Sequence, residues 1–206
     1  GTEADTFNVA AGASLSGALD GGATGVNTLS YSAYNADVTV SLSGGTATEI
    51  TGGISNIQVV TGDSGQTNTF TGPNGEYTWT IISADTGTAN TGNYAFNNFA
   101  NITSGTGANV YEIITGGSIT GTLTGTGGID TLSYTPGGAT YNLTGADAGN
   151  ITTYVAAGFA GISNLTGGTL ADTFNVAAGA SLSDTLDGGS GAYGSLAAAS
   201  RAECGC

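Results

Sequence analysis

ADTFNVAAGASLS, at residues 4–16, returns letter for letter at residues 171–183. Each copy is followed shortly by the tetrapeptide LDGG, at residues 19–22 and again at residues 186–189. Tandem units of short period usually stack, so that each copy buries its apolar side against its neighbours. The identity therefore predicts a repeat protein rather than a globular centre built from unrelated elements.

Two diverged copies set the spacing of the units. ANVYEIITGGSITGTLTG at residues 108–125 aligns without a gap with residues 4–21, and TNTFTG at residues 67–72 is a partial copy. The aligned positions are Asp5, Asn68, Asn109 and Asp172, so two long units flank one short unit. We predict one repeat domain over residues 1–191, with units near 4–66, 67–107, 108–170 and 171–191. Residues 192–206 are expected to be a degenerate or cloning-derived tail. Since the repeat is already running at residue 4, we expect the chain to be part of a longer protein.

Short runs in which apolar and small polar residues alternate lie between the glycines. Examples are TFNVAA from Thr6, DVTVSL from Asp37 and YTWTII from Tyr77. A period of two is the period of a β-strand, and β-branched and aromatic residues fill these runs. No stretch reads as an amphipathic helix of ten residues or more. The sequence predicts an all-β parallel β-solenoid, of the β-helix or β-roll kind, with an antiparallel β-sandwich as the alternative.

Residues that recur in the copies should stack in one core. The equivalent sets are Phe7, Phe70, Tyr111 and Phe174; Leu15, Ile119 and Leu182; and Leu29 and Leu132. Tyr31, Tyr134, Trp79 and the run NYAFNNF at residues 93–99 either fill this core or form an exposed aromatic platform for sugars. The short middle unit lacks the TLSY element, so we expect its YTWT and NYAFNNF segments to form an irregular bulge or lateral loop.

The charge balance excludes several classes of function. The chain has fifteen Asp and Glu residues, one Arg, no Lys and no His, which gives a formal net charge of −14. Nucleic acid and anionic membranes would be repelled, and no run approaches the ~20 apolar residues of a membrane span. Without His or Lys, neither a Ser-His-Asp triad nor Schiff-base chemistry is available. Cys204 and Cys206 lie in the tail, and we base no function on them.

Glycine-aspartate turns carry a resemblance to a known family. GTGGIDTL at residues 125–132 and GATGVNTL at residues 22–29 resemble the RTX (haemolysin-type) nonapeptide GGxGxDxUx. Together with the ADTFNV and ISNLTGG elements, they make residues 1–190 similar to the repeat regions of large bacterial surface adhesins. Ala23 and Thr126 replace a glycine of the nonapeptide, Asn27 replaces its Asp, and Tyr193 holds the Asp position of GGSGAYGS.

This resemblance implies Ca²⁺ as the candidate cofactor. The implied metal ligands are Asp20, Asp130 and Asp187, with Asn27 as a weaker fourth, because in that family the Asp carboxylate and turn carbonyls coordinate the ion. The alternative is that these side chains only cap turns by accepting hydrogen bonds from nearby backbone amides. Both interpretations stay open at the level of sequence.

The resemblance also implies a structural or adhesive segment of a secreted or cell-surface bacterial protein. Such a segment projects from the cell and makes many weak contacts that repetition renders polyvalent. Candidate partners are a cell-surface glycan, a protein receptor and further copies of the chain that associate end to end. The expected location is extracellular or at the bacterial cell surface, without membrane insertion.

Two other functions remain as alternatives. A carbohydrate-active β-helix enzyme would use paired carboxylates, and Asp85, Glu76 and Glu112 are the first suspects, although no catalytic residue is assigned. An ice-binding solenoid would use ranks of threonine. The candidate ranks are Thr120, Thr122, Thr124 and Thr126, with Thr67, Thr69 and Thr71.

Overall fold

The computed structural model describes residues 1–191 and 195–198, which form strands and no helix. In chain order the strands are β1 (Thr6–Asn8), β2 (Leu19–Asp20), β3 (Thr28–Ser30), β4 (Thr39–Ser41), β5 (Thr46–Ala47), β6 (Ile54–Ser55), β7 (Val59–Thr61), β8 (Thr69–Thr71), β9 (Thr78–Ser83), β10 (Thr86–Ala89), β11 (Ala95–Asn97), β12 (Asn101–Thr103), β13 (Val110–Ile113), β14 (Leu123–Thr124), β15 (Thr131–Tyr134), β16 (Thr140–Gly145), β17 (Ala148–Ile151), β18 (Val155–Ala160), β19 (Asn164–Thr166), β20 (Thr173–Val176), β21 (Leu186–Asp187) and β22 (Ser195–Ala198).

These strands form two large sheets. Sheet 1 has the order β1-β3-β7-β11-β10-β9-β13-β15-β19-β21, and sheet 2 has the order β5-β4-β8-β12-β14-β18-β17-β16-β20-β22. Strands β2 and β6 form a separate short parallel pair. The chain passes back and forth between the sheets, so that most neighbours within a sheet are parallel coils. The predicted parallel β-solenoid is confirmed, and the sandwich alternative is wrong.

The coils are unequal in length, as the uneven repeat predicted. Thr131 pairs with Val110 across a short coil, whereas Phe159 pairs with Leu123 across a much longer one. The longer coils contain three-stranded antiparallel meanders: β9 to β11 in sheet 1 and β16 to β18 in sheet 2.

The expectation of a lateral loop in the middle unit is wrong, because its segments form the β9 to β11 meander inside sheet 1. The alternation of TWTIIS buries Trp79 and Ile81, and β9 then pairs in parallel with β13. The turn to β10 contains Asp85 with a φ of 54°, in the left-handed region that Asp tolerates better than most residues. Gly87 faces the core from the middle strand, where a Cβ would lie 2.7 Å from the ring of Phe96. Only glycine leaves room for that ring.

The core lies between the sheets and is strongly aromatic in the middle unit. Phe70 packs against Trp79, Phe96 and Phe99 with ring centroids 5.2–5.9 Å apart. All four rings are buried, so these aromatics fill the core and do not form a platform.

Most of the predicted core positions are buried. Those buried are Phe70, Tyr111, Phe174, Ile119, Leu29 and Leu132. Phe7 and Leu182 are half-buried, and Leu15 is 40% exposed. Phe7 lies on β1, the terminal strand of sheet 1, where a neighbouring coil covers it on one side.

The last described strand continues the repeat beyond residue 191. Ser195 pairs with Thr173 across a coil of the same length as the one that separates Thr28 from Thr6 in the first copy. The other tail residues, including Tyr193 and the two cysteines, lie outside the described residues. Within the described chain, no helix has the length and apolarity needed to cross a bilayer.

Candidate functional site

Asp20 and Asp187, two of the predicted metal ligands, are exposed and hold the same turn in two copies. The Oδ1 atom of Asp20 accepts the N–H of Gly22 at 2.9 Å, and that of Asp187 accepts the N–H of Gly189 at 2.9 Å. Asp20 Oδ1 also accepts a hydrogen bond from the Asn56 amide at 2.7 Å. This hydrogen bond, followed by the one from Gly22, lowers the pKa of Asp20. Both carboxylates cap their turns, as the alternative interpretation expects.

Asn27 and Asp130, the other two candidates, are buried at equivalent places immediately before strands β3 and β15. Asn27 accepts the backbone N–H of Asp5 at 3.0 Å and donates its amide to the carbonyl of Asn56 at 3.0 Å. Asp130 Oδ1 accepts the backbone N–H of Asn109 at 2.8 Å, and its Oδ2 accepts a longer bond from the Ser104 hydroxyl at 3.3 Å. Burial raises the pKa of Asp130, although these hydrogen bonds act in the opposite direction.

Asn27 and Asp130 belong to a ladder of buried polar residues, whose other members the sequence aligned without assigning them a role. Its members are Asn27, Asn68, Asn109, Asp130 and Asp172, each at most 1% exposed. In four of them a side-chain oxygen accepts the backbone N–H just before a strand in the adjacent coil, as Asn68 does for Val38 and Asp172 does for Ala139. The exception is Asn109, whose amide donates to the Gly107 carbonyl while its side-chain oxygen has no hydrogen-bond partner among the described residues. Because a buried N–H without a partner is costly, these side chains fix the coils against one another. The recurrence of Asp or Asn at aligned positions was the signal available in the sequence.

The structure brings the predicted metal ligands together only in part. Asp20 and Asn27 both contact Asn56, whereas Asp130 and Asp187 lie in other coils. Among residues 1–191 and 195–198, no three His, Cys, Asp or Glu side chains form a group that could hold a metal ion. Turn carbonyls can supply further oxygen ligands, and calcium binding stays a prediction.

The outer side of sheet 2 carries two columns of polar side chains, which we call the polar face. It consists of Thr39, Thr69, Asn101 and Thr122 in one column and Ser41, Thr71, Thr103 and Thr124 in the other. The columns run across four parallel strands, β4, β8, β12 and β14, whose intervening residues point into the core. Strand geometry places neighbours within a column ~4.8 Å apart and the two columns ~6.7 Å apart.

Hydrogen bonds between neighbouring side chains help to order the polar face. The side-chain oxygen of Asn101 accepts the backbone N–H of Thr122 at 3.0 Å and its hydroxyl at 3.1 Å. The sequence identified Thr69, Thr71, Thr122 and Thr124 as ranks. It missed the strands that join them, because the length of chain between paired strands differs from one coil to the next.

The polar face is uncharged although the chain is strongly acidic. Within the bounds of the described strands, the charged residues are Asp20, Glu112 and Asp187, and none lies in sheet 2. The other described carboxylates lie in the connections between strands. A surface of neutral hydroxyl and amide groups suits hydrogen bonding to a neutral, polar partner better than binding to a cation or a polyanion.

The three carboxylates suspected of catalysis have separate surroundings. Asp85 accepts the backbone N–H of Thr120 at 2.8 Å and the hydroxyl of the same residue at 2.6 Å, so that its carboxylate fixes a turn. Glu112 lies on the outward side of β13, and Glu76 is exposed before β9. The enzyme alternative stays a prediction.

An open cavity of about 390 Å³ lies at the β1 end of the solenoid. Its apolar lining includes Phe7, Val9, Leu15 and Ile50, and Glu49 lies at the same cavity. Comparison with protein-family models, with curated proteins and with solved structures finds no match to this chain.

Proposed function

We propose that the chain is a structural or adhesive repeat segment of a secreted or cell-surface bacterial protein. The observation that carries this proposal is the polar face: ordered, neutral hydroxyl and amide columns on a solenoid whose carboxylates lie mainly between the strands. Each hydroxyl contributes a weak contact, and repetition along the columns makes the sum polyvalent. The partner class that fits is a neutral glycan, with a protein receptor as the other candidate.

Retention on insoluble neutral polysaccharides tests this proposal. Beads coated with the chain are passed over cellulose and chitin, and retention is compared with that of beads carrying Thr71→Lys plus Thr103→Lys. Both substitutions lie in the centre of the polar face, where a long charged side chain prevents close approach. We expect at least a tenfold loss of retention on whichever polysaccharide binds the original chain.

The double variant Thr80→Lys plus Thr88→Lys is the matched control, because these two threonines are neighbours on the outward side of β9 and β10 in sheet 1, away from the polar face. It changes the net charge in the same direction and should preserve retention. Equal losses in the control and in the polar-face variant would mean that charge, not the face, governs binding. Retention that survives the double substitution contradicts the proposed surface.

End-to-end self-association is a second part of the proposal and would use the apolar cavity at the β1 end. Leu15 is 40% exposed there, and an exposed leucine beside an open cavity is a ready contact for another apolar surface. We expect sedimentation velocity to show association that increases with concentration and that Leu15→Lys suppresses. A chain that stays monomeric over the full concentration range contradicts this part alone.

Ice binding is the second candidate function, and one observation favours it. The structure places Thr69, Thr71, Thr122 and Thr124 on one face with two further strands aligned beside them. Regular hydroxyls on a flat sheet can order a layer of water in a fixed lattice.

Thermal hysteresis and inhibition of ice recrystallisation measure this activity directly. Ice binding requires that the original chain shows both effects and that Thr71→Lys plus Thr103→Lys abolishes them, while the control Thr80→Lys plus Thr88→Lys on sheet 1 does not. Absence of both effects removes this candidate and leaves the glycan test unaffected.

A further inference from the structure

Two tyrosines from different sheets stack face to face. Tyr134 ends β15 in sheet 1, and Tyr154 immediately precedes β18 in sheet 2. Their ring centroids are 3.9 Å apart, and the ring planes are inclined by only 24°. Tyr134 is 7% exposed and Tyr154 is half-buried, so the pair is accessible through the ring of Tyr154.

Other close tyrosine pairs in the described chain have a different geometry. Tyr31 and Tyr34 lie 5.6 Å apart at 85°, and Tyr77 and Tyr94 lie 5.5 Å apart at 90°. In such edge-to-face contacts, the edge of one ring points at the face of the other. The stacked arrangement instead sets carbons of one ring opposite carbons of the other, so that two phenoxyl radicals formed there are already close enough to couple.

The stacked pair is not a consequence of the repeat itself. In the first long unit, Glu49 takes the place of Tyr154, since the residues that follow them, Ile50 and Val155, make equivalent bridges to the adjacent coil. Packing of the coil at that place therefore does not require a tyrosine.

We propose that Tyr134 and Tyr154 form an oxidative cross-linking site, which hydrogen peroxide and a haem peroxidase convert into one dityrosine. Each phenol loses one hydrogen atom, as a proton and an electron, and becomes a phenoxyl radical. The two radicals couple through a carbon–carbon bond between ring carbons adjacent to the hydroxyls. The hydrogen on each coupled carbon then moves to the phenolic oxygen, which restores both phenols. Hydrogen peroxide takes up the two protons and two electrons and becomes two water molecules.

The surroundings of the pair are consistent with loss of a whole hydrogen atom rather than of an electron from a phenolate. Burial, with the neighbouring phenol of Tyr154 acting in the same direction, raises the pKa of Tyr134 to about 12, so that the phenol keeps its proton at neutral pH. The product would join the two sheets covalently at one side of the solenoid. The cross-link closes the loop from Tyr134 to Tyr154, and such closure stabilises a folded chain chiefly by restricting the unfolded one.

The test is peroxidase treatment of the dilute, folded chain, followed by mass spectrometry of its peptides. We expect a monomeric product that is lighter by two hydrogen atoms, shows dityrosine fluorescence and yields one cross-linked peptide that joins Tyr134 to Tyr154. Its melting temperature should rise by several degrees. Tyr154→Phe and Tyr134→Phe keep a stacked ring and should each eliminate the product, whereas Tyr94→Phe should preserve it.

Three outcomes would overturn the proposal. The first is a cross-linked peptide from another tyrosine pair in place of this one. The second is a product that is exclusively dimeric. The third is absence of dityrosine in the original chain under conditions in which a short tyrosine peptide forms it.

Discussion

Several residues of the ladder of buried Asn and Asp each have a glycine packed against them. The fold requires glycine at these places, because any larger residue would collide with the buried side chain. A Cβ at Gly21 would lie against the carbonyl oxygen of Asn56 and 2.6 Å from the amide nitrogen of Asn27. We expect Gly21→Ala to lower the free energy of unfolding by ~1–3 kcal/mol, because two backbone-anchored groups must move apart. Gly17→Ala is the matched control, since no heavy atom lies within 4 Å of the Cβ position there. Urea denaturation of both variants measures the difference, and equal stabilities would contradict the expected clash.

Asp130 gives the stability of the solenoid a dependence on pH. Its buried carboxyl has a raised pKa in the folded chain, so the protonated form is favoured by folding. The unfolded carboxyl titrates near ~3.9, so the contribution of Asp130 to stability is highest below that pH and is lost as the pH rises through the folded pKa. Asp130→Asn removes this loss and supplies the amide that Asn27 has at the equivalent place. We expect its gain in melting temperature over the original chain to be small near pH 4 and to grow towards pH 8.

The reverse substitution, at the equivalent residue Asn27, checks whether a buried carboxylate at this position makes stability depend on pH. Asn27→Asp puts a carboxylate oxygen opposite the Asn56 carbonyl, where the amide now donates at 3.0 Å. Its melting temperature should fall below that of the original chain by an amount that increases with pH. A pH-independent effect in both variants contradicts the assignment.

At the scale of one strand, the segment that occurs twice shows how much of a side chain's contribution to stability depends on the neighbouring strands and how much on its own sequence. Phe174 in β20 is buried and stacks on Tyr141 with centroids 4.6 Å apart, whereas Phe7 in the identical segment is half-buried on the terminal strand of sheet 1. We expect Phe174→Ala to cost ~3–5 kcal/mol in unfolding free energy, and Phe7→Ala about half of that or less. Chemical denaturation followed by circular dichroism compares them. Equal costs would mean that the two copies have the same surroundings.

The same pair shows which structural information the sequence contained. Alignment of the copies predicted that Phe70, Tyr111 and Phe174 are equivalent core residues. All three are buried, but Tyr111 lies in sheet 1 and the two phenylalanines lie in sheet 2. It could not predict the exposure of Phe7, because burial depends on which coil lies next to the strand.

The antiparallel meanders could not be predicted from the sequence, for a different physical reason. An alternating run such as TWTIIS has the same period of two in a parallel and in an antiparallel strand. What decides the chain reversal is the turn at Asp85, and its counterpart at Asp147 has a φ of 50°. A short polar residue in a turn-forming context is too common in this chain to be singled out.

The candidate metal site shows a similar limit. Asp20 and Asp130 both lie in glycine-rich turns of the sequence, yet one is exposed and the other is buried. Only the positions of the neighbouring coils distinguish them.

At the scale of the whole molecule, the net charge of −14 is a term that opposes the compact state. Repulsion between carboxylates in successive turns extends over ~30 Å at 0.01 M salt and only ~3 Å at 1 M. We expect the melting temperature to rise steadily with sodium chloride over this range. Calcium binding predicts a further rise at matched ionic strength, because an ion held by the folded chain alone must stabilise it.

Asp20→Asn combined with Asp187→Asn separates the two effects. Each amide keeps the side-chain oxygen that accepts the turn N–H, so the turns should persist while the exposed negative charges are removed. With calcium bound at these turns, the double variant retains the response to sodium chloride and loses most of the additional calcium response. Screening does not distinguish between cations at one ionic strength, whereas coordination does. Melting curves that coincide in calcium, magnesium and sodium at equal ionic strength would therefore mean that both carboxylates only cap their turns and bind no calcium.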